Sequence, residues 1–363
     1  MRTYSLLLFF LFTTSFAWAQ YPLVKNKSYT AYQVSTRLLV DGKADERAWQ
    51  QAQWTDAFVD IEGDRQPMPE WNTRVKMLWD TSYLYFYAEM EEPHIWATLT
   101  QRDTIIFYNN DFEIFIDPDG DLQTYMEYEV NAFNTVWDLL LTRAYRDRGN
   151  AVNQWDIDGL QSAVHIEGTL NQSNDQDKYW SVEVAIPWKV IQETTRDKLP
   201  PKNGDHFRIN FSRVQWETEI INGSYVKKTN PQTGKPLPEN NWVWSPQRAI
   251  NMHEPEFWGV VFFSTQKVND ARATPFEINS AREEVRQLLT YIHRQQLLHK
   301  KNFKKFTTQP EQLLKAKTFS TGEQVSWQLL ANEYFYHAQM THPALPNERW
   351  HIDASGKLWQ TKQ

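Results

Sequence analysis

The 363-residue chain contains no cysteine. This excludes disulfides, a thiol nucleophile, thiolate metal ligands and a lipid-bearing cysteine, so packing must stabilise the fold. Basic charge is in the minority, with 38 Lys and Arg against 45 Asp and Glu for a net charge of -7. A nucleic-acid partner, which selects a basic face, is therefore not expected. Beyond Phe16 no apolar run approaches the roughly 20 residues that a membrane-spanning helix needs, so no span is expected in the mature chain. A Gly-rich phosphate loop and a Ser nucleophile elbow are also missing. His94, His165, His206 and His253 are scattered without metal-ligand spacing.

At the N-terminus, Arg2 precedes an apolar run from Leu6 to Phe16 and then Ala17-Trp18-Ala19, a small-x-small cleavage pattern. Residues 1 to 19 read as a secretory signal, which implies export to the periplasm or the cell exterior. Aromatic residues make up 15% of the chain. Most will fill the core, but an exported, aromatic-rich protein is also equipped to stack on sugars.

From Arg37 to about Phe263, short alternating runs are separated by turn residues: "RLLVDGKAD", "TRVKMLWD", "YLYFYAEM", "DFEIFID", "TYMEYEVNAF", "YWSVEVAIPW", "HFRINFSRVQW" and "FWGVVFF". This pattern predicts a mainly β fold, an antiparallel sandwich of jelly-roll or immunoglobulin-like type, over residues 20 to 268. "DERAWQQA" and "PWKVIQ" read as single helical turns. After residue 270, "NSAREEVRQLLTYIHRQQLLHKKNFKKF" sets Val285, Leu288, Leu289 and Ile292 on one helical face behind a Ser280-x-x-Glu283 capping box. "EQVSWQLLANEYFYHAQM" reads as a second helical stretch, and "RWHIDASGKLWQ" as two strands and a turn. Residues 275 to 363 are thus expected to form a C-terminal α-helical appendage.

The densest chemistry lies in "DFEIFIDPDGD", residues 111 to 121. Asp117, Asp119 and Asp121 take the first, third and fifth places of a calcium loop, but the twelfth is Tyr128 rather than a bidentate Glu, and Gly120 comes two places early. Asp and Gly also build ordinary turns, so calcium and a polar hairpin both stay open. If Asp117 faces Tyr125, antiparallel pairing sets Glu113 opposite Glu129, Asp111 opposite Asn131 and Phe115 opposite Glu127 on one face. Directly opposed like charges need a cation, an arginine or a shared proton. Such carboxylates could bind a polar ligand, or Glu113 with Glu129 or Glu127 could hydrolyse a glycoside.

Five pieces, "LLVDGKADERAW", "VKMLWDTSYLYFYAEMEEP", "NNDFEIFIDPDGD", "YWSVEVAIPW" and "NMHEPEFWGVVFF", resemble carbohydrate-binding module family 9 in order and spacing, over roughly residues 30 to 265. The resemblance implies a β-sandwich that binds oligo- or polysaccharide without cleaving it and requires no cofactor, with calcium in some members. It places the family's hydrogen-bonding Glu on Glu113. Its two clamping tryptophans fall on Phe107 and near Met252, and its arginine on Glu129. Asp111, Asn131 and His253 are expected beside them. Tyr108, Trp137, Trp155 and Trp242 are the aromatics available to replace a lost clamp. A glycoside hydrolase and a scaffold protein with a lost sugar site are the alternatives.

Overall fold

The computed structural model describes residues 23–268 and 275–362, so the signal read at residues 1 to 19 lies outside them. The chain opens with β1 (Ser28–Gln33), the helical turn α1 (Arg47–Gln51), β2 (Val59–Asp60), β3 (Thr73–Trp79) and β4 (Tyr83–Glu91). Next come β5 (Asp111–Asp117), β6 (Gln123–Asn131), β7 (Val136–Arg143), β8 (Ala151–Val152), β9 (Gln161–Glu167) and β10 (Tyr179–Pro187). The turn α2 (Trp188–Ile191) precedes β11 (His206–Gln215), the hairpin β12 (Thr218–Ile221) and β13 (Ser224–Lys227), β14 (Asn240–Val243) and β15 (Gly259–Ser264). The long helix α3 (Ser280–Phe303) leads into β16 (Ser326–Ala331), β17 (Tyr336–Thr341), β18 (Glu348–Asp353) and β19 (Leu358–Lys362).

Strands β8-β7-β6-β5-β11-β15-β1-β3-β4-β10-β9 run in that order through one large curled sheet, with β14 and β2 attached at β11. Phe112, Ile114 and Ile116 of β5 meet Val182, Val184 and Ile186 of β10 in one apolar cluster, so the two ends of the sheet form the layers of a sandwich. Alternation produces this directly, since every second residue of each strand points inward. Most pairings are antiparallel, as expected. The exception is β1, which runs parallel to both β15 and β3 and joins the two layers. "RLLVDGKAD", read as a strand, is an irregular segment instead. Its backbone bonds are taken by a side chain: Glu183 on β10 accepts the N–H groups of Asp41 at 2.9 Å and Gly42 at 3.2 Å, and Trp49 Nε1 at 2.8 Å. Two of the family-like pieces are therefore joined through one buried carboxylate, whose bonds are individually worth about 1.5–3 kcal/mol.

Gly259 has a close-packing role. A Cβ there would stand 2.3 Å from the ring of Trp244, a fully buried side chain with no room to swing. Gly259→Ala is expected to cost about 1–3 kcal/mol through overpacking. A urea midpoint equal to that of the wild type would show that the Trp244 ring yields instead.

Helix α3 buries Val285, Leu288, Leu289 and Ile292, as their spacing predicted. Its cap is different: Asn279, not Ser280, accepts the N–H of Arg282 at 3.1 Å, and Glu283 turns away to an ion pair with Arg208. The second stretch read as helical forms β16 and β17 of a four-stranded antiparallel sheet on which α3 packs. Asn332 turns the chain between these strands, its side chain accepting the N–H groups of Tyr334 and Phe335 at 2.8 and 2.9 Å. The C-terminal unit is therefore one helix on a sheet, not a wholly helical appendage. No helix among the described residues is long and apolar enough to cross a membrane.

Candidate functional site

The register inferred from the sequence is the one observed: Asp111 pairs with Asn131, Glu113 with Glu129 and Phe115 with Glu127. On either side, Ser212 of β11 lies opposite Glu113, and Trp137 of β7 lies opposite Glu129. Because Phe112, Ile114, Ile116, Met126, Tyr128 and Val130 all point into the sandwich core, the carboxylates are driven onto the other face. There they sit above a second apolar cluster that includes Phe115, Tyr125, Leu139 and Trp258.

A cleft of about 320 Å³ opens over this face. Phe107, Trp137 and Tyr145 supply aromatic surface, Glu113, Glu127, Glu129 and Glu239 supply acceptors, and Asn241, Asn251 and His253 complete the polar lining. No Lys or Arg among the described residues lines it. Burial, reinforced by Glu239, pushes Glu113 up to about 7, and the Ser212 hydroxyl partly offsets the shift. Burial followed by the charge of Glu113 holds Asp111, Glu127 and Glu129 well above the ordinary carboxylate range. His253 is pushed down to about 4 by burial and by Arg146, so its ring is neutral near pH 7. Asp111 Oδ2, an acceptor, and Trp137 Nε1, a donor, are buried here without a hydrogen-bond partner.

Of the residues singled out in the sequence, Phe107, Glu113, Glu129, Met252 and His253 come together at this cleft. Phe107 also fixes Glu129, whose Oε2 accepts its N–H at 3.2 Å. Asp111 lies beneath the cleft rather than on its wall, fully buried, with Oδ1 accepting Val214 N–H at 3.3 Å. Asn131 does not reach the ligand space. Its amide donates to Leu99 O at 2.8 Å and its carbonyl accepts from Phe133 and Thr135, so it shapes a turn. Among the aromatics considered as replacements, Trp137 lines the cleft, whereas Trp155 packs on the core and Trp242 is buried beneath Arg213. Tyr108 packs at a tilt beside Phe107, half-exposed. Tyr145, Glu239 and Asn241 were missed, because they belong to a loop and a distant strand end with no periodic pattern to mark them.

The 117–121 loop makes a different set of contacts. Asp117, Asp119 and Asp121 bring oxygens within 4.8 Å of one another. Both oxygens of Asp117 accept backbone N–H groups, from Gly120 at 2.9 Å and Leu122 at 3.0 Å. Asp121 pairs with Lys357 at 2.8 Å, and Arg286 donates to Gly120 O at 2.7 Å. Leu122 enters the apolar cluster beneath α3. The loop is thus the point where the sandwich meets the C-terminal unit.

The chain matches the family model "Carbohydrate family 9 binding domain-like" over residues 40–212. Residues 40–212 form a family 9-like domain. This span holds the Phe107, Glu113, Glu127, Glu129, Trp137 and Tyr145 side of the cleft, while Glu239, Asn241 and His253 lie beyond it. Among solved structures, the chain is similar to a family 9 carbohydrate-binding module from Caldicellulosiruptor kristjanssonii in complex with cellotriose, at 16% identity and a TM-score of 0.40, covering 69% of this chain and 100% of that one. A family 9 carbohydrate-binding module from the same organism in complex with glucose gives 16% identity and a TM-score of 0.41, covering 68% and 100%. A Bacteroides uniformis protein proposed to bind carbohydrate gives 15% identity and a TM-score of 0.46, covering 66% and 100%. Curated proteins give no match.

Proposed function

We propose that the family 9-like domain binds carbohydrate non-covalently in the Glu113 cleft, serving an exported protein in the use of oligo- or polysaccharide. The observation that carries this reading is the lining itself: aromatic surface from Phe107, Trp137 and Tyr145 beside a row of carboxylates, with no cationic side chain. A sugar ring offers an apolar face to the aromatics and hydroxyl donors to the carboxylates. The cleft falls within the roughly 300–1,000 Å³ of small-ligand sites. This binding needs no cofactor at the 117–121 loop, whose charges already face Lys357 and Arg286.

Glycoside hydrolysis is less well supported. Its two carboxyl groups must flank the scissile bond. Here Glu113, Glu127 and Glu129 stand side by side on two adjacent strands and share one wall. In affinity electrophoresis against a panel of soluble polysaccharides, the wild type should be retarded by at least one. Glu113→Ala and Trp137→Ala should each weaken that interaction about tenfold, equivalent to losing one good hydrogen bond or stacking contact. Retardation by none of the glycans would sink the binding reading in favour of a scaffold. Release of reducing sugar, abolished in Glu113→Gln, would restore the enzyme.

A further inference from the structure

The floor of the cleft poses an electrostatic problem that sugar binding alone does not solve. Asp111, Glu113 and Glu129 are all buried, and each brings an oxygen within 4.8 Å of the others. The charged groups that act on them are themselves carboxylates: Glu127 and Glu239, besides one another. Arg146, the guanidinium beside His253, is engaged with Glu254 and Glu256. Three buried negative charges without a counter-charge cost several kcal/mol each, so protons or a cation must neutralise them.

Asp111 Oδ2 separates these two solutions. If protons alone joined the cluster, each would lie in a hydrogen bond between two oxygens, and the oxygens of the cluster would be paired. Asp111 Oδ2 is buried and has no hydrogen-bond partner. Asp111 Oδ1 accepts one long backbone hydrogen bond, at 3.3 Å, whereas Glu129 accepts Phe107 N–H at 3.2 Å and also shares a hydrogen bond with Glu127, so the unsatisfied oxygen is that of Asp111. A cation can use these free lone pairs; a shared proton leaves that oxygen unsatisfied.

We propose that Asp111, Glu113 and Glu129 form a divalent-cation site at the floor of the cleft, taking a hard ion of the calcium class. An all-carboxylate donor set favours calcium, magnesium or manganese over zinc or copper. Calcium fits best among these, because it tolerates irregular oxygen cages and exchanges water ligands for hydroxyls. Asp111 holds the ion from below, and Glu113 and Glu129, which line the cleft, hold it from the side the ligand enters. Sugar hydroxyls reaching the floor then meet a cation rather than three repelling charges. The site is distinct from the Asp117, Asp119 and Asp121 loop, where Lys357 and Arg286 already supply positive charge.

The test uses metal alone, without sugar, so its outcome is independent of the carbohydrate reading. Terbium(III) is titrated into chelator-stripped mature protein with excitation of tryptophan, since Trp137 pairs directly with Glu129. Sensitised emission that calcium displaces is expected, with calcium binding confirmed by calorimetry. Asp111→Asn, which keeps shape and removes charge, should weaken calcium by at least about tenfold, the effect that even outer partners of metal sites show. Glu129→Gln serves as the second variant and should do the same. Asp119→Asn should leave the affinity unchanged. Absence of calcium binding by the wild type, unchanged affinity in both floor variants, or loss confined to Asp119→Asn would overturn the proposal.

Discussion

Glu283→Gln is expected to lower unfolding free energy by about 3–5 kcal/mol, the cost of removing one partner from a buried ion pair. Glu283 lies in the first turn of α3 and pairs with Arg208 of β11, whose side chain is almost wholly buried. Arg286, one turn further along α3, is buried beside them and donates to Gly120 O at 2.7 Å. Deleting the carboxylate leaves two guanidiniums facing each other across the join between the sandwich and the C-terminal unit. Although burial works to raise the Glu283 carboxyl, Arg208 and Arg286 hold it below its ordinary value. The sign of the pH effect follows: the folded state releases the proton more readily than the unfolded chain, so the stabilisation is full above the ordinary glutamate value near 4.5 and is lost as pH falls through the depressed one. Urea midpoints at pH 7 and pH 3 measure both parts. The gap between wild type and variant should be widest at the first and smaller at the second. Arg208→Met combined with Glu283→Leu should recover much of the loss, because an apolar pair of similar volume removes both desolvation penalties. A single variant as stable as the wild type at pH 7 would mean that the join does not depend on this pair.

That join also marks the limit of what was legible in the sequence. Alternation in "DFEIFID" and "TYMEYEVNAF", with a turn between them, was enough to predict the β6 partners of Glu113, Asp111 and Phe115. A one-residue slip would have put Ile114 and Tyr128 on the carboxylate face, and burial forbids it. The same physics misled further on. In "EQVSWQLLANEYFYHAQM" apolar residues recur at helical intervals across the whole stretch, yet within Tyr336–Thr341 the buried residues are strictly Tyr336, Ala338 and Met340. The Asn332 turn divides the run into two short strands, and short apolar runs do not separate helix from strand. The sheet-joining strand β1 escaped notice because its partners, β15 and β3, are set by long-range pairing.

The site was legible to a similar depth. Residues on regular strands were placed correctly because a two-residue period dictates their face. Tyr145, Glu239 and Asn241 arrive from elsewhere in the chain, and no local pattern announces them. Asn131 was expected in the cleft on its register and does lie opposite Asp111, but at the end of β6 it is used by the turn to Thr135. Register places a residue on a face; the hydrogen bonds of the adjoining loop decide whether its side chain is free to act. The acidic "DPDGD" run bonds Gly120, Leu122 and Lys357 while its three carboxylates keep oxygens within 4.8 Å of one another.

Glu113→Gln is expected to stabilise the chelator-stripped protein at pH 8 by about 3 kcal/mol, the free energy of moving one carboxyl from its ordinary value near 4.5 to about 7. Between those values the folded state binds more protons at Glu113 than the unfolded chain, so the contribution of Glu113 to wild-type stability falls as pH rises from about 4.5 to about 7 and then levels. Glutamine does not titrate. The variant's advantage should therefore be absent near pH 4, grow through this window and plateau above it. Removing one negative charge also relieves Glu129, Glu127 and Asp111, which Glu113 raises, and this acts in the same direction. Denaturant midpoints at pH 4, 6 and 8 in a metal-free buffer measure the effect. A residue kept where it destabilises the fold is kept for what it binds, so the same substitution should weaken the ligand while it strengthens the protein. Calcium added at pH 8 should narrow the gap, since the ion draws on the wild-type carboxylate and has less hold on the amide. A wild type more stable than Glu113→Gln at pH 8 without metal would show instead that Glu113 is retained for the fold.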